Sequence, residues 1–216
     1  MNPRIEGNSG VGASSWINGK RHLERAIALW KERHPGEAVE VHWHPFELNP
    51  DLPAGGVARR AYLEAKFGGA ERTREIYARV AAAGLQAGIA FDFERIGVQP
   101  NTLDAHRLVA WAAERGDENA MVEALFHGYF MEGRDYSARA QLAAVAGLAG
   151  FPEDEAHVFL ESGAGAEMIK ADEQVAARMG VSGVPFFIFD QRLALSGAQP
   201  PEVILQAMEE AREGGP

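Results

Sequence analysis

The chain predicts an α/β fold in which a strand–helix–strand opening and a strand–strand–helix ending enclose a long helical block. Three observations carry this. "AVEVHWH" alternates apolar and polar residues directly after an amphipathic helix, residues 55–178 are rich in Ala, Glu, Arg and Leu at helical spacing, and "VPFFIFDQRLALSG" returns to strand character. With 216 residues and 46 % hydrophobic content, the chain is long enough for one sizeable core with an insertion.

In the first helix, Leu23, Ala26, Ile27 and Trp30 recur at spacings of three and four, while Lys20, Arg21, Glu24, Arg25, Lys31 and Glu32 form the wet face. "HPGE" ends it. Val39, Val41 and Trp43 then alternate with Glu40, His42 and His44, and Pro45 and Pro50 close that strand. A strand should precede residue 11, yet "PRIEGNSG" writes one poorly. Six helices are read in the middle: "TREIYARVAAAGL", "TLDAHRLVAWAAERG", "NAMVEALFHGYFMEG", "SARAQLAAVAGLAG", "EDEAHVFLES" and "AEMIKADEQVAARMG". Asn101 or Thr102, Ser137, and Pro152 to Asp154 mark plausible starts. At the end, "VPFFIFD" and "RLALSG" are strands joined by a tight "DQ" turn, and Pro200 and Pro201 open a last amphipathic helix. The order βαβ, helices, ββα is that of a thioredoxin-like domain, residues 1–54 and 179–216, with an all-helical insertion at 55–178.

Composition narrows the function. The 31 acidic residues against 21 basic ones give a net charge of −10, which repels a phosphate backbone, and no basic cluster offsets it. No apolar run reaches the roughly 18 residues needed to span a bilayer, and "MNPRIEGNSG" lacks a signal-peptide pattern. The expectation is a cytoplasmic protein with no nucleic-acid or membrane partner. There is no Cys, which excludes a disulfide, a thiolate metal site and a cysteine nucleophile.

"VGASSWINGK" runs from small residues into the first helix, and backbone N–H groups at such a start suit thiolates, phosphates or carboxylates. The segments "HPFELNPDLP", "PNTLDAHRLVAWAAERG", "EALFHGYFMEGRD" and "ADEQVAARMGVSGVPFF", with the ending "GVSGVPFFIFDQRLALSGAQPPEVILQAM", resemble the DsbA-like thiol-disulfide oxidoreductases of the FrnE type. Their superfamily includes 2-hydroxychromene-2-carboxylate isomerases and kappa-class glutathione transferases. The resemblance implies a C-P-W-C loop before Gly19, Lys20 and Arg21, which places Ala13 and Trp16 at the two cysteine positions; a one-residue insertion at Asn18 would place Gly12 and Ser15 there instead. Either alignment leaves no thiol, and dithiol exchange needs two sulfurs.

The resemblance further implies a cis Val184–Pro185 bond beside the loop, with Val184 offering backbone groups to an extended ligand. It also places the helix carrying His106 over that cleft. Serine relatives use a loop hydroxyl to stabilise glutathione thiolate, so Ser14 and Ser15 are catalytic candidates and glutathione the one candidate cofactor. The relatives' "GSDR"-like stretch reads "SGAQ" here, without its acid. Against these stand plainer readings: a serine capping the first helix, and His106 bonded within a helix interface. His42 and His44 share a strand face but lack a third ligand, so no metal is expected. "GNSGVG" lacks the G-K-[ST] ending of a phosphate loop. The expected function is a redox-inactive member of the oxidoreductase family that keeps a cleft for a peptide or small thiol ligand. A glutathione-dependent isomerase or transferase, and a non-catalytic chaperone-like module, are the alternatives; a homodimer is compatible with each.

Overall fold

The computed structural model describes residues 3–10 and 13–213. The chain forms β1 (Arg4–Ser9), α1 (Ser14–Arg33) and β2 (Glu40–Pro45), and later β5 (Phe186–Phe189), β6 (Leu193–Ser196) and α9 (Pro201–Glu213). These strands make one sheet in the order β2-β1-β5-β6, with β1 and β2 parallel and the other pairs antiparallel. The fold is therefore thioredoxin-like α/β, with helices between the two halves of the sheet.

The poorly written first segment becomes a central strand. Ile5 is its sole large apolar residue and is fully buried, while Gly7 faces both Trp43 and Phe187 across the ladders. A Cβ at Gly7 would lie 2.5 Å from the Trp43 ring, so the indole supplies the bulk that a usual strand residue would bring. Asn8 and Ser9 are buried as well, and the Asn8 carbonyl accepts a hydrogen bond from Trp16 Nε1. Tertiary neighbours make this a strand; its own alternation does not.

At the other edge, Asp190 and Gln191 have φ of 48° and 58°, the two left-handed positions of a tight hairpin turn, closed by Arg192 N–H donating to Phe189 O at 2.9 Å. The expected "DQ" turn is there. On α1, Leu23, Ala26 and Trp30 are buried, and the helix packs against α9.

Between the halves lie β3 (Val57–Ala58), α2 (Arg59–Phe67), α3 (Ala70–Gln86), a short 3₁₀ turn (Phe93–Arg95), β4 (Val98–Gln99), α4 (Leu103–Ala113), α5 (Glu118–Phe130), α6 (Arg139–Leu148), α7 (Glu153–Ser162) and α8 (Ala166–Arg178). All six expected helices form. The sequence reading missed α2 and the two-residue β3–β4 ribbon, which are too short for periodicity to register. Helix starts also differ in detail. Asn101 Oδ1 accepts from Leu103 N–H at 2.9 Å, while Thr102, the residue at the cap position of α4, makes no side-chain cap bond. Ser137 does not start α6, because its N–H and hydroxyl both donate to Asp135 and the helix begins at Arg139. Among the described residues, no helix is long and apolar enough to cross a membrane.

Candidate functional site

The site lies where β1 ends and α1 begins. Ala13 N–H donates to Gly10 O at 2.8 Å, turning the chain into the helix with Ala13 at its cap position. Ala13 has no side chain to cap with, so the reading of Ser14 or Ser15 as the N-cap is corrected: both stand inside the first turn. Gly12 lies outside the described residues. Ser14 is half-buried; Ser15 is exposed and its hydroxyl donates to Val184 O at 3.4 Å, a long bond.

Trp16 points the other way. It is fully buried, stacks on Phe126 at 4.4 Å between centroids, meets Trp43 edge-on at 4.9 Å and donates from Nε1 to Asn8 O. One position of the implied redox pair is thus a helix-start alanine, 6 % exposed, and the other is an indole filling the space between sheet and insertion.

Val184 and Pro185 close the loop from the β5 side through a cis peptide bond. A Cβ at Gly10 would lie 2.3 Å from Val184 Cγ2, and one at Gly19 would lie 2.5 Å from Pro185 Cγ and 2.9 Å from its Cβ. Gly197 N–H donates to Pro185 O at 2.8 Å. Two glycines therefore let this turn approach β1 and α1 closely. Helix propensity alone predicts that Gly19→Ala gains about 1 kcal/mol. The rigid proline ring reverses the sign: Gly19→Ala is expected to lose about 1–3 kcal/mol by overpacking, read as a lower urea midpoint, and an unchanged or higher midpoint would show that Pro185 yields.

His106 sits against the end of β1. It is 1 % exposed, its Nδ1 is 3.4 Å from Ser9 Oγ, and Ser9 donates in turn to His44 O at 3.1 Å. Burial pulls its pKa down to about 4, so the ring is neutral at pH 7. It supports the end of β1 from below and presents no surface of its own to a ligand. His42 and His44 are half-exposed on β2 and pair with Glu118 and Glu6. No group of three or more potential metal ligands exists among the described residues.

Two flanking features escaped the sequence reading. Lys20 is buried between Glu24 and Glu123, and Arg21 reaches the same two carboxylates, so the "GKR" of α1 is fastened to α5. Burial by itself would raise the Glu123 pKa, but the bonds from Arg21 and Lys20 carry it down to about 2. Beyond β2, Glu47 N–H donates to Glu173 Oε1 on α8 at 2.6 Å. Burial, then the Glu173 charge, pushes the Glu47 carboxyl up to about 7, against the opposing N–H groups of Thr102 and Leu103. No spacing signal could have joined Glu47 to Glu173, which are 126 residues apart.

Glu47 makes stability pH-dependent. The folded state holds this proton up to about pH 7, whereas an unfolded glutamate releases it near 4.5. Its contribution is complete below 4.5 and is lost as pH rises through 7. Glu47→Gln is expected to be the more stable form at pH 8 by roughly 1 kcal/mol, after allowing for solvent screening of a half-exposed carboxyl, and to approach the unsubstituted protein at pH 4.5 in urea titrations. Parallel pH curves for the two proteins would rule this out.

The model of the DSBA-like thioredoxin domain matches residues 15–209. The chain belongs to that family. A probable DsbA oxidoreductase from Streptomyces coelicolor is 31 % identical, with all of this chain and 92 % of that one covered at a TM-score of 0.90. The likeness to a 2-hydroxychromene-2-carboxylate isomerase (13 % identity, 97 % and 96 % coverage, TM-score 0.68) shows fold only. So does that to the cytosolic disulfide reductase DsbM of Pseudomonas aeruginosa (16 % identity, 97 % and 95 % coverage, TM-score 0.58). No curated protein sequence matches significantly. This DSBA-like chain is free of cysteine. At its helix start, N–H groups without a side-chain cap, a serine hydroxyl and the Val184 carbonyl stand together, with no sulfur among them.

Proposed function

We propose that this DSBA-like protein is a redox-inactive relative of the FrnE type that binds an extended peptide or thiol ligand along Val184 and Pro185. The observation that carries the reading is the filling of the loop: Ala13 stands at the helix start and Trp16 is sunk among Phe126 and Trp43. A dithiol cycle needs one sulfur to attack and a second to resolve the mixed disulfide. Neither position can supply one, while the backbone of Val184 and the N-terminus of α1 retain ordinary binding chemistry. A cytoplasmic setting and a ligand of peptide or thiol character belong to the same proposal.

A second reading rests on Ser15. Its exposed hydroxyl lies on the first turn of α1 and reaches Val184 O, a place from which it could hold a glutathione thiolate for isomerase or transferase chemistry. Titration calorimetry with reduced glutathione and with an unstructured cysteine-free peptide separates the two. Peptide binding without glutathione binding supports the first, and glutathione binding abolished by Ser15→Ala supports the second. An insulin-reduction assay is expected to give no rate above buffer; turnover would overturn the redox-inactive reading, and no heat with either ligand would overturn the binding site.

A further inference from the structure

Three cationic side chains are buried among the described residues: Lys20, Arg59 and Arg107. Lys20 is paired with Glu24 and Glu123, and Arg107 with Asp104. Arg59 is 6 % exposed and forms no ion pair with any of the 31 acidic side chains, all of which lie in the described segments, and its Nε has no hydrogen-bond partner. A chain with ten more acids than bases does not leave a buried cation single for want of carboxylates.

The guanidinium is nevertheless held firmly. Its stem leaves the first residue of α2, whose N–H donates to Gly97 O at 3.0 Å. Its head lies over the Tyr77 ring at 4.8 Å and the Phe93 ring at 5.7 Å, and those rings meet edge-on at 4.7 Å. Burial raises the Tyr77 and Tyr129 phenols, and the positive charge of Arg59, together with its hydrogen bonds to both hydroxyls, opposes the rise, which places the guanidinium at the centre of this aromatic group. Ring faces and the Tyr77 and Tyr129 hydroxyls offset part of the desolvation of the guanidinium, but they leave its Nε–H without an acceptor and its charge without a counter-ion. A planar guanidinium held in place by rings and hydroxyls, with a free Nε–H and no carboxylate, is the arrangement that favours an incoming oxyanion.

We propose that Arg59 is the anchor of an oxyanion-binding site walled by Tyr77 and Phe93, taking the phosphate or carboxylate end of a small ligand. The site is built from the helical insertion and is independent of the loop at Ala13 to Trp16. Its test uses the full chain, labelled with ¹⁵N, with inorganic phosphate and sodium acetate as probes against sodium chloride at equal ionic strength. The Arg59 Nε–H resonance is expected to shift and saturate with one probe, and the identity of that probe distinguishes a phosphate from a carboxylate site. At ten times its Kd, the same probe should raise the melting temperature by roughly 3–6 °C, and Arg59→Met should abolish that increment. Because the resonance is read in the unsubstituted protein, the test survives a variant that folds badly. No saturable shift with either anion, or an equal thermal increment in Arg59→Met, overturns the site.

Discussion

Trp16→Ala is expected to lower the free energy of unfolding by about 3–5 kcal/mol, the range for deleting a buried aromatic side chain. The ring is fully buried, stacked on Phe126 and edge-on to Trp43, and its Nε1 satisfies Asn8 O at the centre of the sheet. Removing it opens a cavity and leaves that carbonyl without its donor, so two penalties act at one place. The same reasoning bears on attempts to restore a thiol pair. Ala13→Cys alone puts a thiol at an uncapped helix start, where the N-terminus lowers its pKa; adding Trp16→Cys carries most of the cavity penalty. Urea denaturation and alkylation at pH 6 check both statements. A Trp16→Ala loss below about 1 kcal/mol would show that the surrounding rings collapse into the space.

Arg107→Met is expected to cost about 3–5 kcal/mol, the range for breaking a buried charge network. The Arg107 guanidinium is 1 % exposed and donates to Phe159 O at 3.0 Å, Leu160 O at 3.2 Å and Ala164 O at 2.6 Å, closing the C-terminal end of α7, and it also pairs with Asp104. Methionine fills much of the volume but leaves three carbonyls without this donor. Arg107→Lys should recover little, since one ammonium cannot reproduce a planar fork with five N–H groups. Asp104 retains Arg139 at 2.9 Å, so the expected loss is concentrated at α7 and its end. Faster amide exchange over residues 159–164 in Arg107→Met, beside a lowered urea midpoint, is the expected signature; unchanged exchange there would mean the carbonyls find other donors.

These two residues mark the boundary of what the sequence conveys. The stripe Leu23, Ala26 and Trp30, the "DQ" turn, the six insertion helices and the strand at Val39 to Trp43 were legible, because each is set by neighbours a few residues away through periodicity or turn chemistry. The lack of any thiol was legible too, since it follows from composition. Arg107 read only as a companion of His106, because the carbonyls it serves lie more than 50 positions on. His106 read as facing a cleft, and the fold puts it under Ser9.

Local order, then, determined the α/β class and the helical insertion, and composition the absence of cysteine. Tertiary structure decided which polar residues are buried and with what partner. "RIEGNS" is a central strand because Trp43 and Trp16 fill the space around Gly7 and Asn8, Glu47 is coupled to Glu173 across 126 residues, and Arg59, alone among the buried cations of the described residues, has no carboxylate. Burial and partnership are sums over the whole fold. No window of sequence contains them, and they set the protonation of His106 and Glu47 and the reach of Ser15.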